Sequence, residues 1–559
     1  MAGDANVVDR PSELETQPPP KAKKVSYLSL PHKGQLAILC LARMADPLAQ
    51  TSIQSYMFYQ LKFFDPSLSD AAISAQAGFL ISAKTAAQVC SGMLWGRLAD
   101  SEHGGRKLVL LIGLASCCKP LIRIPHHRRK DRAGLTMRVG VSYLGYGLAR
   151  SFVAATIFQV LGGSLSSNVA LTRCVVAELN PEKAYRARAL LLLPLFANAG
   201  NLLGPLIGGL LSSNARDAPS QGRYPYLAPN LCVAAVYMIA ALGVLFGLNE
   251  TLESLQHSNE AGLHRTIRRI KSFFSKESTG NYEYAAVRDN DIEVADSPTS
   301  TTESSPAIPK PPKRKRKLPF RRIWTFNVVC TMLSHFVIAG HLGTFSSLWA
   351  IFLSTPVGDA ESRQPPFVFN GGLGMLPRDV GFAMALLGAI GVLLQLVVYP
   401  LLQDRFGTIR IWRCALLVFP IVYILAPFPS LVASAPSQRG DTTSVLVWLA
   451  TAGVIVLFIV GRTGVTPATT LLINDCTPHP SVRGTIHTTG TVVGNLARSF
   501  FPIGALAIFG QGLRIGVVGL GFWCLMALAI LSYVASLWVT EGSNGLEINL
   551  DDEDDSEEE

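Results

Sequence analysis

Apolar runs of about 20 residues or more, the length a helix needs to cross a hydrocarbon core, recur along this 559-residue chain with mostly short polar gaps between them. A single water-excluding core could not bury them all. The runs fall at 34–58, 73–95, 108–116 continuing into 139–148, 151–175, 187–211 and 229–248, then at 325–353, 379–402, 409–428, 445–465, 485–509 and 514–539. This order predicts an all-α membrane protein with twelve transmembrane helices in two six-helix halves. Composition agrees, with 49% of residues hydrophobic and 16% charged, where soluble domains carry about a quarter charged.

The same order divides the chain into a polar N-terminus at 1–33, a first half at 34–250, a linker at 251–324, a second half at 325–540 and an acidic tail at 541–559. Rich in Ser, Thr, Glu and Lys and ending in PKPPKRKRKLPFRR, the linker has the composition of a disordered segment. The tail reads as a solvated acidic segment. The formal charge of +10 does not point to nucleic acid, because the basic residues lie between apolar runs, where membrane topology accounts for them. The positive-inside rule puts KAKK at 21–24, the basic loop between runs two and three, KRKRK at 313–317 and both termini in the cytosol. The N-terminus has no apolar core of its own, so no cleavable signal is expected and the first run serves for insertion.

Ten cysteines are scattered, mostly within apolar segments as at Cys40, Cys90, Cys232 and Cys524, and no CxxC pair occurs. They read as packing residues, and neither metal nor cofactor is expected. No nucleophile–base constellation or phosphate loop stands out, which argues against an enzyme and against an ATP-driven pump.

Between the second and third runs stands Gly96-Arg97-Leu98-Ala99-Asp100-Ser101-Glu102-His103-Gly104-Gly105-Arg106-Lys107. Gly96 would let two helices approach, Asp100 would cap a helix end, and Arg106 and Lys107 would supply cations at the membrane surface. In the fifth run, Gly200-Asn201-Leu202-Leu203-Gly204-Pro205-Leu206-Ile207-Gly208-Gly209 sets glycines four apart, a groove for close packing, around a helix-kinking proline.

The first segment resembles motif A of the major facilitator superfamily, G-x-x-x-D-x-x-G-R-[KR], with two additional residues between the acid and the Gly-Arg pair. The resemblance implies a conformational latch of Gly96, Asp100, Gly105, Arg106 and Lys107 that holds the cytoplasmic side shut in one state and frees it in the other. The second segment matches that superfamily's antiporter motif, G-x-x-x-G-P-x-x-G-G, at each fixed position, which implies proton-driven antiport; packing alone is the other reading. Tyr399-Pro400-Leu401-Leu402-Gln403-Asp404-Arg405-Phe406-Gly407 keeps the acid, base and glycine of motif A without its leading glycine and marks the second half. The ending Asn249-Glu250-Thr251 is similar to that of twelve-span drug:proton antiporters. Trp95 to Asp100, taken with Asp46-Pro47, resembles the branch of fungal multidrug and zinc-induced facilitator-like carriers.

Ionisable groups inside spans are candidates for function because lipid burial without a partner is costly. Asp46 follows Arg43 by one helical turn and precedes Pro47, so it is a candidate proton site or one half of a structural pair. Lys84 and Gln88, one turn apart, are candidates for the same cavity, with Lys84 as an alternative partner of Asp46. Gln159 stands where related antiporters carry the buried arginine of motif B. Arg173 and Glu178 read as a surface pair near a helix end, and His335, His341, Arg462, His487 and Asn495 are weaker candidates in the second half.

These residues predict a secondary active transporter that moves a small molecule by alternating access, in antiport with protons, as a monomer in the plasma or vacuolar membrane. A nutrient uniporter or symporter, and a non-transporting sensor signalling through 251–324, are the alternatives.

One stretch breaks the pattern. CKPLIRIPHHRRKDRAGLTMR at 118–138 sets two prolines, two histidines and a dense basic cluster inside the third span, where each charge is costly. Joining Leu114-Ala115-Ser116-Cys117 to the VSYLGYGLARSF run restores an apolar helix of spanning length. Cys118-Lys119 can be encoded by a string containing GTAAG, a common intron start, so the segment reads as a retained in-frame intron; a basic loop extruded between two half-spans is the alternative. Sequencing of the mature transcript is expected to find these codons absent, and a message that keeps them selects the loop.

Overall fold

The computed structural model describes residues 29–100, 105–115, 142–166, 168–180, 182–212, 224–251, 319–358, 364–435, 444–479 and 482–542. The insert at 118–138, most of the linker at 251–324 and the last part of the tail lie outside them. The first half comprises α1 (Lys33–Phe64), α2 (Asp70–Asp100), α3 (Arg106–Ala115), α4 (Ser142–Leu148), α5 (Phe152–Leu165), α6 (Asn168–Leu179), α7 (Lys183–Ser212) and α8 (Leu227–Gly247). The second comprises α9 (Phe326–Ser354), α10 (Pro377–Leu393), α11 (Tyr399–Phe406), α12 (Thr408–Leu425), α13 (Pro429–Ala433), α14 (Val445–Asp475), α15 (Arg483–Ile515) and α16 (Leu520–Ser536).

Among the described residues seven helical stretches are long and apolar enough to cross a membrane, within α7, α8, α9, α10 to α11, α12 to α13, α14 and α15; α5 and α16 are apolar but shorter. With 32 and 31 residues, α1 and α2 have the length but carry more polar side chains, as helices facing an interior cleft do. Large apolar side chains point outward all round, among them Phe246 (71% exposed), Phe326 (72%) and Val445 (73%), as expected of surfaces wetted by lipid.

Several spans differ from their predicted limits for local reasons. The fourth run is broken after Ser166, between α5 and α6, where Gly162-Gly163-Ser164 and Ser166 are poor helix formers. The run predicted to end at 465 continues to Asp475, with Pro467 accommodated inside α14. Between α10 and α11 lies a five-residue π-helical stretch, Leu394–Val398, just before Pro400, which has no N–H to give the preceding turn.

Glycine contacts hold the first half together. A Cβ at Gly200 would lie 2.5 Å from the Met44 carbonyl oxygen, at Gly204 2.4 Å from that of Leu48, and at Gly208 2.1 Å from that of Ser52. The glycine row of α7 therefore runs along the backbone of α1, one helical turn at a time.

The two halves touch along part of their length only. Down α2 and α15, a Cβ at Gly510 would lie 2.5 Å from the Ala71 oxygen and one at Gly78 2.7 Å from the Pro502 oxygen; next, the Thr85 hydroxyl donates to the Arg498 carbonyl at 3.2 Å. Beyond Thr85, a Cβ at Gly92 or Gly96 would meet nothing within 4 Å. Along α7 and α10, Gly209 meets Pro377 and Gly381, Leu202 meets Gly388, and the Asn198 amide donates to the Gln395 side-chain oxygen at 2.6 Å. Past that pair Leu396 and Leu401 are exposed. The bundle is thus shut at the face where α2 begins, and splays into a cleft toward the face carrying Lys33, Arg106 and Asp475, here termed the terminal face. The segment after α9 reinforces the shut face: Val518 N–H donates to the Phe369 oxygen at 2.9 Å, the Asn370 amide to the Leu513 oxygen at 2.9 Å, and the Tyr59 hydroxyl to the Met375 oxygen.

Gly208→Leu is expected to destabilise the detergent-purified protein by about 1–3 kcal/mol, because its added atoms meet backbone, whereas Gly96→Ala leaves the thermal midpoint unchanged or slightly raised. Equal midpoints for the two variants would contradict the packing described.

Candidate functional site

Near mid-height of the first half, a hydrogen-bonded series leads from the cleft to Asp46. The Lys84 ammonium donates to the Tyr143 hydroxyl at 3.2 Å and lies 5.6 Å from that ring's centre. The hydroxyls of Tyr143 and Tyr237 are 3.4 Å apart, and Tyr237 donates to the Asp46 carboxylate. The Ser166 hydroxyl reaches both Asp46 oxygens at 3.4 Å, and the Gln88 amide donates to Ser166 at 3.4 Å. Since Tyr237 gives its proton to the carboxylate, its oxygen is left to accept from Tyr143, whose oxygen accepts from Lys84. The series therefore runs in one direction, from Lys84 on α2 through α4 and α8 to Asp46 on α1.

Local structure explains how these groups meet. The break after α5 frees Ser166 from the helical ladder so that it can turn to Asp46 and Gln88. A Cβ at Gly163 would lie 2.2 Å from the Lys84 oxygen, so a glycine there brings α5 against α2. Lys84 also lines a narrow recess with Gln50, Gln54, Thr85 and Gln159. Across it, the Gln54 amide donates to Ser347 of α9 at 3.0 Å. Gln159 is buried and faces the Tyr146 hydroxyl.

Of the sequence-predicted candidates, Asp46, Lys84 and Gln88 thus share one network. Arg43 is within electrostatic reach of Asp46 but forms no ion pair with it within 4.0 Å, because the carboxylate is turned to Tyr237 and Ser166. Lys84 is joined to Asp46 through two tyrosine hydroxyls, not directly. Tyr143, Tyr237 and Ser166 escaped the sequence reading, since a tyrosine or serine within an apolar run is ordinary until the fold sets it beside a carboxylate.

A second cluster lies at the terminal face. Gly105, at φ 90°, uses a backbone region open to glycine to turn the chain into α3. The Glu250 carboxylate, just beyond α8, accepts from the N–H groups of Arg106 at 2.9 Å and Lys107 at 3.2 Å, capping the positive end of that helix. Glu178 pairs with the Arg106 guanidinium at 3.1 Å and accepts from the Thr251 hydroxyl. Glu178 therefore partners Arg106, not Arg173. Burial pushes the Lys107 ammonium's pKa down, and Glu250 offsets part of that shift. Gly96 is exposed to the open cleft with nothing packed on it, so in this conformer it makes no close helix contact. The Asp100 side chain lies outside the described residues.

The second half repeats the capping device. Gly407, at φ 78°, turns the chain into α12, whose Ile409 N–H donates to Glu541 at 3.2 Å. Arg413 donates to the Ser536, Leu537 and Val539 carbonyls that end α16. Glu541 had no motif to mark it; its signal is its position after the last span, as Glu250 follows the sixth. His341 is fully buried in the second half against Tyr423, with its Nδ1 2.8 Å from that hydroxyl.

Residues 39–502 match the sequence profile described as Major Facilitator Superfamily. The chain is 27% identical over 543 residues to the major facilitator superfamily multidrug transporter mfsB of Aspergillus fumigatus, covering 91% of this chain and 83% of that one. It is 20% identical to the protein zinc induced facilitator 1 of Arabidopsis thaliana, covering 85% and 84%. Among solved structures, the D-xylose-proton symporter superposes with a TM-score of 0.56 at 13% identity, over 93% of this chain and 99% of that one, a likeness of fold.

Glu250→Ala is expected to speed amide hydrogen exchange at residues 106–107, with a local loss of about 1 kcal/mol, and Glu541→Ala to do the same at residue 409. Unchanged exchange at both sites would contradict the capping role.

Proposed function

The chain belongs to the major facilitator superfamily and is a multi-pass membrane transporter, and we propose that it works as a proton-coupled antiporter that exports a small solute, such as a drug, an organic ion or a metal chelate, by alternating access. The observation that carries this reading is the directed series from Lys84 at the cleft to the Asp46 carboxylate. When ionised, Asp46 accepts from Tyr237 on α8 and from Ser166 at the α5–α6 break. Protonation turns one of its oxygens into a donor, so the ties from α1 to those elements must rearrange. Lys84 at the other end also lines the recess, so cargo there and a proton at Asp46 bias one another, reciprocally as linkage requires.

The open terminal face suits loading of an exporter if that face is cytosolic. The positive-inside rule favours this orientation, with both termini on that side in the plasma or vacuolar membrane. Several features described above fit this direction: the antiporter motif on α7, the latch-like segment Gly96 to Lys107 with its acidic partners, and the multidrug transporter among the relatives. One chain supplies both halves and the whole cleft, so it works as a monomer built of the two halves at 34–250 and 325–540.

Proteoliposomes with an imposed pH gradient test this. Cargo is expected to move against the proton flow, and Asp46→Asn to abolish gradient-driven transport while elution profile and thermal midpoint stay as in the parent. Movement with the protons would select a symporter, and full flux in Asp46→Asn would remove Asp46 from the mechanism.

A further inference from the structure

The cleft between the halves carries an excess of positive charge that the proton pathway does not use. Arg43 on α1 and Arg173 on α6 come from the first half, Arg462 on α14 and Arg498 on α15 from the second. By helical rise, Arg462 and Arg498 lie about 20 Å or more from both ends of their helices, so they sit at mid-bilayer depth. Arg498 is at the apex of the cleft: its carbonyl accepts from Thr85, at the last contact of α2 with α15 before the halves part, and its side chain crosses Gly343 of α9.

Arg498 lies within electrostatic reach of Arg43, Arg173 and Arg462, and of His335 on α9. Arg173 and Arg498 are accessible to solvent although closely ringed by protein, as befits groups lining a deep cleft. Among the described residues none of the four arginines has a carboxylate within 4.0 Å, and Arg498 has only the Asn495 side chain, at 3.3 Å. Asp46 is the one acid within reach of Arg43, and its oxygens are taken by Tyr237 and Ser166. Guanidinium groups that converge on the cleft from both halves, with no carboxylate beside them, favour an anion between them.

We propose that this cleft is an organic-anion site, in which a carboxylate or phosphate group of the cargo bridges Arg43 and Arg173 of one half to Arg462 and Arg498 of the other. The forked donors of arginine match the paired oxygens of either group. Because the bridge joins the two halves, a bound anion favours their approach at the terminal face, the step that occlusion of cargo requires. The proposal deepens the export reading by naming the cargo's charge, and it rests on that reading only for calling the ligand cargo.

Binding, measured without transport, separates the two. Fluorescence anisotropy of the detergent-purified full chain with fluorescein, an anion, and with rhodamine 123, a cation of similar size, is expected to show saturable binding of fluorescein alone. Benzoate and phenyl phosphate should displace it, the stronger competitor identifying the preferred head group, while benzylammonium should not. Arg462→Gln and Arg498→Gln are each expected to weaken fluorescein binding at least tenfold with unchanged elution profile and thermal midpoint, and Arg498→Lys to restore part of it. Binding of rhodamine 123 equal to or tighter than that of fluorescein, no fluorescein binding, or unchanged affinity in well-folded Gln variants would overturn the proposal. Anion binding without gradient-driven flux would instead leave this site standing and overturn proton-coupled export.

Discussion

Backbone-to-backbone approach at glycine is the contact on which the rest depends. In lipid, apolar helices gain nothing from leaving water, so they associate through close packing and the weak polar contacts that packing permits. The helix Lys183–Ser212 has two such edges. Gly200, Gly204 and Gly208 lie on the first helix of the chain, while Gly209 faces Pro377 and Gly381 across the boundary between halves. One helix is thus bound firmly within its half and presses on the other half with the next residue round. The half-to-half contact is confined to one end. It gives way past Asn198–Gln395 on one side and past Thr85–Arg498 on the other, which leaves room for the halves to rock.

Charge at the middle of a bilayer is the second constraint. Each ionised side chain at a helix centre costs about 3 kcal/mol on insertion scales, so it must find water or a partner. This chain uses both. Asp46 is held by hydroxyls from two other elements, and the arginines of the cleft keep solvent on the open side. Closing the cleft removes that water and makes the demand for a compensating anion acute. Ligand charge and conformational change are linked by this desolvation without any additional device.

Much of this was legible in the sequence, and the limits of legibility are physical. Apolar runs predicted where most helices lie, because a hydrocarbon core leaves the backbone little choice but helix, while the ends of α1, α2, α14 and α15 fall five to ten residues beyond the predicted limits. The α7 glycines were readable because their spacing is a geometric requirement of close packing. The break at Ser166 was missed because the poor helix formers Gly162, Gly163, Ser164 and Ser166 sit inside a run of spanning length, and weak helix propensity tells only when a partner such as Asp46 claims the freed side chain. Tyr143 and Tyr237 carry no sequence signal, since their role lies in three-dimensional neighbours. Gly96 was expected to pack closely and instead faces the open cleft; the resemblance ties its contact to a latch closed in one state only, which its spacing in the sequence does not specify. Glu541 was hidden for a different reason: a glutamate caps the second half as Glu250 caps the first, but no motif surrounds it.

A pivot of the two halves, as proposed, makes opening at one face accompany closing at the other. Pulsed electron–electron resonance on two spin-label pairs spanning the same two helices measures it directly, one pair at positions 97 and 485 on the terminal face, the other at 69 and 514 on the shut face. Acidification from neutral pH or addition of cargo is expected to move population between two distance sets in opposite senses, the terminal pair shortening as the other lengthens. Distances that stay fixed in both pairs, or that change together in the same sense, would contradict the account.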